Sequence, residues 1–392
     1  MRDVAVVAYG RTGIARAVRG ALNSTHGIPM LSHMLEHVVK QARIEPEAID
    51  DVIIGCGLPE GATGHNIART AALAAGLPQS VPGITITRYC GSGVNAASFA
   101  ANRIAVGEAS IIVAGGVESI SLTQTNLNLN GFFYEPLQQR MPEVWWTMNQ
   151  TADFVARKYG ISREAQDEYA LRSQQNVAKA NARGVYAAEI VPFTTHMKVT
   201  DKATNESRMV EVTLDKDEGP RPDSTLEGLA KLKPVAADGF ITAGNASQLS
   251  DGAAALVMMD AELAVQRNIP ILGLFRGMQL AAVAPEEMSI AIAPAIRKVM
   301  KHHSVAASSV DLWELHEAYA VTTLYNQREL ETPWEITNVN GGALALGHPY
   351  GMSGIRYVGS TLLELARRNQ KRAVIGVCTA GGMGTAALLE RS

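Results

Sequence analysis

One strand-and-helix unit occurs twice in this chain, and that duplication restricts the fold more than any single motif does. The first copy runs DVAVVAY (3–9), a helix over 30–43, DDVIIGC (50–56), a helix over 66–75, GITITRY (83–89), a helix over 94–106 and ASIIVAGG (109–116). The second runs ILGLFRG (271–277), a helix over 294–302, VDLWELH (310–316), a helix over 317–329, a short strand ITNVN (336–340), a helix after His348 and RAVIGVCTAGG (372–382). Short β-branched runs alternating with segments of helical period predict largely parallel sheets covered by helices, an α/β architecture. A copy length above a hundred residues is a duplicated domain, not a short-period solenoid.

The copies differ in one place, and the difference locates an insertion. In the second, AGG at 380–382 continues directly into a closing strand, MGTAALLE, whereas AGG at 114–116 is followed by a long polar stretch. The matching strand, DGAAALVMM, arrives only at 251–259. The predicted units are therefore 1–118 with 250–268, an inserted 119–249, and 269–392. Two helices (151–159, and 162–183 beginning at Ser162) and a loop-rich stretch containing Arg221 and Pro222 are expected in the insertion.

Composition excludes several function classes. The 392 residues are 47% hydrophobic and 19% charged with a formal net charge of -3, so no basic excess points to nucleic acid. No apolar run is long enough to span a membrane, and the first strand begins at once after Met1-Arg2, which leaves no room for a signal peptide. Three widely spaced cysteines suit neither a disulfide framework nor a zinc site; reduced thiols and a cytoplasmic location are expected.

Three glycine-rich turns carry the candidate chemistry: Cys90-Gly91-Ser92-Gly93, Gly347-His348-Pro349-Tyr350-Gly351 and Cys378-Thr379-Ala380-Gly381-Gly382. A thiol at a helix start beside a histidine becomes nucleophilic when its pKa is lowered. Cys90 taken alone also suits a small buried apolar residue, His348 a turn histidine and Cys378 a buried strand residue. Aligning the copies puts Cys90 and His348 at corresponding positions, each starting the helix after a third strand, and Gly55 opposite His316 at the ends of the second strands. Pseudo-symmetry then brings Cys90 and His348 face to face at the carboxyl ends of the strands, where ligands bind in such folds.

RYCGSGVNA, TAGNASQLSDGAAA (242–255), HEAYA (316–320), NVNGGALALGHPYGMSG (338–354) and CTAGGMGTA (378–386), in this order and over the whole chain, resemble the thiolase family. The resemblance implies duplicated thiolase-like domains layered α-β-α-β-α with an inserted α/β loop domain that binds coenzyme A. It implies reversible CoA-dependent cleavage of a 3-ketoacyl-CoA, or the reverse Claisen condensation, through an acyl-Cys90 intermediate, as in fatty-acid β-oxidation. His348 would activate Cys90, and Cys378 would serve as general acid and base. Backbone N–H groups of Cys90 and Ala380 would hold one oxyanion, and His348 with a water fixed by His316 the other, each donor contributing about 3 kcal/mol.

By the same resemblance Ser247 contacts the pantetheine, Ala243, Leu249 and Ala318 line its channel, Met148 and Met288 border the acyl site, and Arg221 lies near the adenine. Lys231 and Lys233 add positive charge. Coenzyme A is a substrate, with no permanent cofactor and no metal, and a homodimer is expected, with a tetramer left open. The chain departs from the family pattern at Gly13, Thr87, Tyr89, Tyr319 and the stretch MSIAIAPA (288–295); both tyrosines lie near the expected acyl pocket. Two other readings remain: a decarboxylating ketoacyl synthase, which has no use for Cys378, and a non-catalytic acyl-CoA-binding protein, which needs none of the four reactive side chains.

Overall fold

Each half of the chain builds the same sheet, and the two sheets join edge to edge. In the structure, a computed structural model describing residues 1–391, the strands are β1 (Val4–Arg11), β2 (Ala15–Arg16), β3 (Asp51–Gly55), β4 (Gly83–Ile86), β5 (Ile111–Glu118), β6 (Phe193–Thr200), β7 (Ser207–Leu214), β8 (Ser250–Asp260), β9 (Gly273–Ala282), β10 (Leu312–Leu315), β11 (Arg372–Thr379) and β12 (Met383–Glu390). The main sheet runs β10-β11-β12-β9-β1-β8-β5-β3-β4, with β2 beside β8. β3 is parallel to β4 and β5, while β5, β8 and β1 pair antiparallel. The second half repeats this with β10 parallel to β11, and β11, β12 and β9 antiparallel. The halves meet where Ala5 and Val6 pair with Leu274 and Gly273.

Strand alternation sorts side chains into layers. Ile53, Ile112, Ala114, Leu256 and Met258 face inward, as do Ala373, Ile375 and Val377 of the second half, onto the helices Ser92–Ala105 and Tyr350–Arg367. Their neighbours Val52, Ile54, Val113 and Val257 face outward onto the helices Gly27–Ala42 and Ile67–Ala74. Val374, Ala386 and Leu388 do the same toward the helices Ile292–His302 and Ala320–Leu330. Two sheets thus enclose one helical layer and carry another on each outer side.

Three local expectations change. ITNVN forms no strand; only an isolated bridge between Trp313 and Thr337 marks the place of β4 in the second half, because Asn338 is spent holding Leu315 by both backbone groups. The strand at 83–89 stops at Ile86, and a 3-10 turn, Tyr89–Gly91, precedes the helix; Tyr89 carries φ +44°, a left-handed conformation unusual for a tyrosine. The insertion contains, besides its helices Met148–Lys158 and Arg163–Ala182, an antiparallel hairpin of β6 and β7 that the loop-rich reading lacks. Fully buried Arg11 of β1 ties this segment down, donating to Glu189 at 2.7 Å and to both carboxylate oxygens of Asp217 at 2.6 and 2.9 Å. Among the described residues no helix is long and apolar enough to cross a membrane.

The two central helices touch through glycine. A Cβ on Gly93 would sit 2.6 Å from the Gly351 carbonyl oxygen, and one on Gly354 would sit 2.3 Å from the Val94 nitrogen. At Gly116, in β5, the gap is tighter still: a Cβ would stand 2.0 Å from the same Gly351 oxygen. Gly116→Ala must therefore displace the start of the helix Tyr350–Arg367. Chemical denaturation should show a loss of about 1–3 kcal/mol, and an unchanged midpoint would mean that the helix yields freely.

Candidate active site

Cys90, His316 and His348 come from three different elements yet meet at one point. Cys90 rides the 3-10 turn before the helix Ser92–Ala105, His316 directly follows β10, and His348 precedes the helix Tyr350–Arg367. The Cys90 sulfur and one ring nitrogen of each histidine lie within 4.8 Å of one another, and the two imidazole centroids are 4.3 Å apart. Such a donor set is soft enough for zinc. What else surrounds it suits acyl transfer: the peptide N–H groups of Cys90 and Ala380 lie where they favour a Cys90 thiolate, and Cys378 lies close enough to feel its charge.

Hydrogen bonds fix the state of His348. The Ser353 hydroxyl donates its one proton to the Pro349 carbonyl at 2.9 Å, so its 2.7 Å contact with His348 Nδ1 must be donated by the ring. Nε2 is then bare, and it is buried with no partner among the described residues. His316 is held by Tyr357, whose hydroxyl meets Nδ1, and its Nε2 is likewise unpartnered. Neither Ser353 nor Tyr357 was expected from sequence, although their spacing of four places both on one face of the helix that His348 begins.

Burial governs the protonation states. His348 is pushed down to about 3 by desolvation and then by the Arg356 charge, so it is a neutral base at pH 7. His316 is also lowered, first by desolvation, then by His348 and Arg356. Cys90, in contrast to the lowered value expected from its helix end and histidine, is pushed up to about 12: desolvation outweighs the two peptide N–H groups that favour its thiolate. Cys378 is raised as well, by burial and then by Cys90. The substrate-free site therefore holds neutral thiols beside neutral imidazoles.

Backbone pairing positions the walls. The segment 245–249 lies between HEAYA and the His348 turn: Ser247 N–H donates to the Ala318 carbonyl at 3.0 Å, Ala320 N–H to Asn245 at 2.9 Å and His348 N–H to Gln248 at 3.0 Å. Buried Glu317 anchors HEAYA by accepting from Tyr169, Ser173, Asn338 and the Leu344 N–H. Glu118, at the end of β5, accepts from the N–H groups of Gly57, Leu58 and Gly351, and burial raises it to about 7 despite them.

A cavity of about 530 Å3 opens here, lined among others by Met148, Ala243, Ser247, Leu249, Tyr319 and Tyr350. Four of the expected CoA and acyl contacts thus share one space. Ala318 lies behind it, and Met288 is 2% exposed in the apolar cluster that also holds Cys378 and Met148. Arg221 is not part of the lining; it sits on an exposed loop whose backbone N–H donates to Gln174. Lys231 is exposed and paired with Glu227.

Residues 4–262 match the family description "Thiolase, N-terminal domain" and residues 269–391 match "Thiolase, C-terminal domain". A 3-ketoacyl-CoA thiolase of Bacillus subtilis is 39% identical over 395 residues, covering 100% of both chains. Human peroxisomal 3-ketoacyl-CoA thiolase is 40% identical over 99% of this chain and 91% of its own. Among solved structures, the Bacillus anthracis acetyl-CoA acetyltransferase matches with a TM-score of 0.89 at 36% identity, over 100% of this chain and 99% of that one. Human mitochondrial 3-ketoacyl-CoA thiolase in complex with CoA matches at 0.88 and 33%, over 100% and 98%. Identity of this extent across both halves, on the same fold, shows that the chain belongs to the thiolase family.

Proposed function

We propose that the protein is a 3-ketoacyl-CoA thiolase in which Cys90 is the nucleophile, His348 its base and Cys378 the acid and base for the second product, with the N–H groups of Cys90 and Ala380 holding one oxyanion and His348 with a water fixed by His316 the other. The observation that carries this reading is the meeting of half-buried Cys90 with a bare His348 Nε2 and a second, buried thiol. Cys90 Sγ attacks the keto carbon as its proton moves to His348 Nε2. The carbon–carbon bond then breaks toward the thioester, giving an acetyl-CoA enolate that takes the Cys378 proton. The Cys378 thiolate next deprotonates free CoA, whose sulfur attacks the acyl group. Cys90 leaves and recovers its proton from His348. The same steps in reverse are a Claisen condensation.

Coenzyme A enters as substrate, its pantetheine arm lying along Ala243, Ser247, Leu249 and Ala318, with Met148 and Met288 on the acyl side. The inserted segment 119–249, between the halves 1–118 with 250–268 and 269–392, supplies much of that channel. Arg221, Lys231 and Lys233, all on its outer surface, are the cations available to the nucleotide end. The cytoplasm is the proposed compartment, since two working thiols must stay reduced. A homodimer is proposed on the free edge of β4, where Ile84, Phe99 and Val106 are 40%, 46% and 64% exposed along one depression that a second copy would cover.

CoA-dependent loss of 3-ketoacyl-CoA enolate absorbance tests the chemistry. Cys90→Ala should abolish it, and Cys378→Ala should slow it about 10²–10⁴-fold; a largely active Cys378→Ala protein would favour the decarboxylating synthase. In the substrate-free protein, alkylation of Cys90 by iodoacetamide should climb steadily from pH 7 to 9, because the thiolate fraction of a group raised to about 12 grows about tenfold per unit. A plateau below pH 8 would instead reveal a preformed thiolate–imidazolium pair. Light scattering should give a dimer mass that Phe99→Asp shifts toward the monomer; a monomeric wild-type protein would remove the dimer.

A further inference from the structure

The acyl side of the cavity carries polar groups that the chemistry just described does not use. The Tyr319 hydroxyl donates to Asn149 Oδ1 at 2.7 Å, and the Tyr350 hydroxyl donates to Gln124 Oε1 at 2.9 Å. All four residues line the same cavity. Both tyrosines stand at the reacting centre: the Tyr350 ring is 5.1 Å from that of His348, and both hydroxyls feel the charge of Cys90. Burial keeps both phenols protonated, and each gives its proton to an amide oxygen, which keeps one further lone pair. The amide nitrogens, Asn149 Nδ2 and Gln124 Nε2, are left as donors with no protein acceptor among the described residues. The rest of the lining is Trp146, Met148, Leu249 and other apolar residues with the hydroxyl residues Thr147, Thr242 and Ser247, and none of the lining residues is charged.

An all-alkyl acyl chain would leave these donors facing hydrocarbon, which is the arrangement that discriminates against a ligand lacking the matching oxygen. We propose that this pocket selects acyl groups carrying a second oxygen acceptor beyond the reacting keto group, with Asn149 and Gln124 as the specificity-determining residues that bind it. The inference rests on the thiolase reading and narrows its substrate class. The acceptor can be a chain or ring ketone, or a terminal carboxylate. With no cation in the lining, the neutral ketone is expected to be favoured over the carboxylate.

The test compares kcat/KM for CoA-dependent thiolysis of 3-ketooctanoyl-CoA, its 7-oxo derivative and its ω-carboxyl counterpart, using the full-length protein, Asn149→Leu and Gln124→Met. At least one oxygenated substrate should be cleaved about tenfold or more better than the unsubstituted one, and the ratio should fall toward one in the variants. A general folding defect would lower all three rates together and leave the ratio intact, so the ratio reports recognition. Equal or better cleavage of the alkyl substrate by the wild-type protein, or a preference that survives both substitutions, would overturn this inference and leave the thiolase reading standing. Failure of the wild-type protein to cleave any of the three would overturn both.

Discussion

Close contact between two helix backbones is the constraint on which this site depends. The helices Ser92–Ala105 and Tyr350–Arg367 occupy corresponding places in the two halves, and they approach so nearly at Gly93 and Gly354 that side-chain carbon would not fit between them. Each helix carries a reactive residue on the turn just before it. Drawing the backbones together brings Cys90 to His348, and the surrounding sheets leave the pair no other way to pack. The apolar layer between the sheets is therefore as much a part of the catalytic geometry as the hydrogen bonds at its rim.

Burial sets the electrostatic character of what is brought together. A thiol pushed up beside an imidazole pushed down is an uncharged pair; in the proposed chemistry it separates charge only when a carbonyl arrives to accept the sulfur and the peptide N–H groups of Cys90 and Ala380 stabilise the oxygen. Charge then develops where donors already point. The unpartnered Nε2 atoms of His316 and His348 fit the same logic, since a buried polar atom without a partner costs free energy that a bound substrate can recover. Glu118 stands behind this arrangement: it gathers N–H groups from the loop after β3 and from the histidine helix, joining the ends of both halves.

Much of this was legible in the sequence because it rests on local signals. Alternating strands, paired glycine turns and the delayed return of DGAAALVMM define the duplicated sheets and the interruption between β5 and β8. Cys90, His348 and Cys378 stand out because glycine-rich turns surround them. What escaped depends on distant partners. ITNVN has strand composition, but Asn338 is engaged with Leu315, so the edge strand never forms. The β6–β7 hairpin alternates, but it lies in a polar stretch and leans on the rest through groups distant in sequence, among them Thr195 to Thr25 and Asn23 to Lys198. The upward shift at Cys90 was illegible because a helix end and a histidine are local, whereas desolvation is a property of the closed site.

The duplication also explains why the site needs the whole chain. Both halves share a strand order, yet they place different residues at matching positions: the first has Cys90 on the turn before the helix Ser92–Ala105, the second His348 before the helix Tyr350–Arg367 and Cys378 on β11. The insertion contributes Met148, Asn149, Ala243 and Ser247 to the wall, and it is bound to β1 through Arg11 and to the second half through Ser247 and Asn245. Neither half alone holds Cys90, His348 and the cavity wall together. Docking of the halves through β1 and β9, with burial of the central helices, is thus the event that both completes the core and creates the reactive centre.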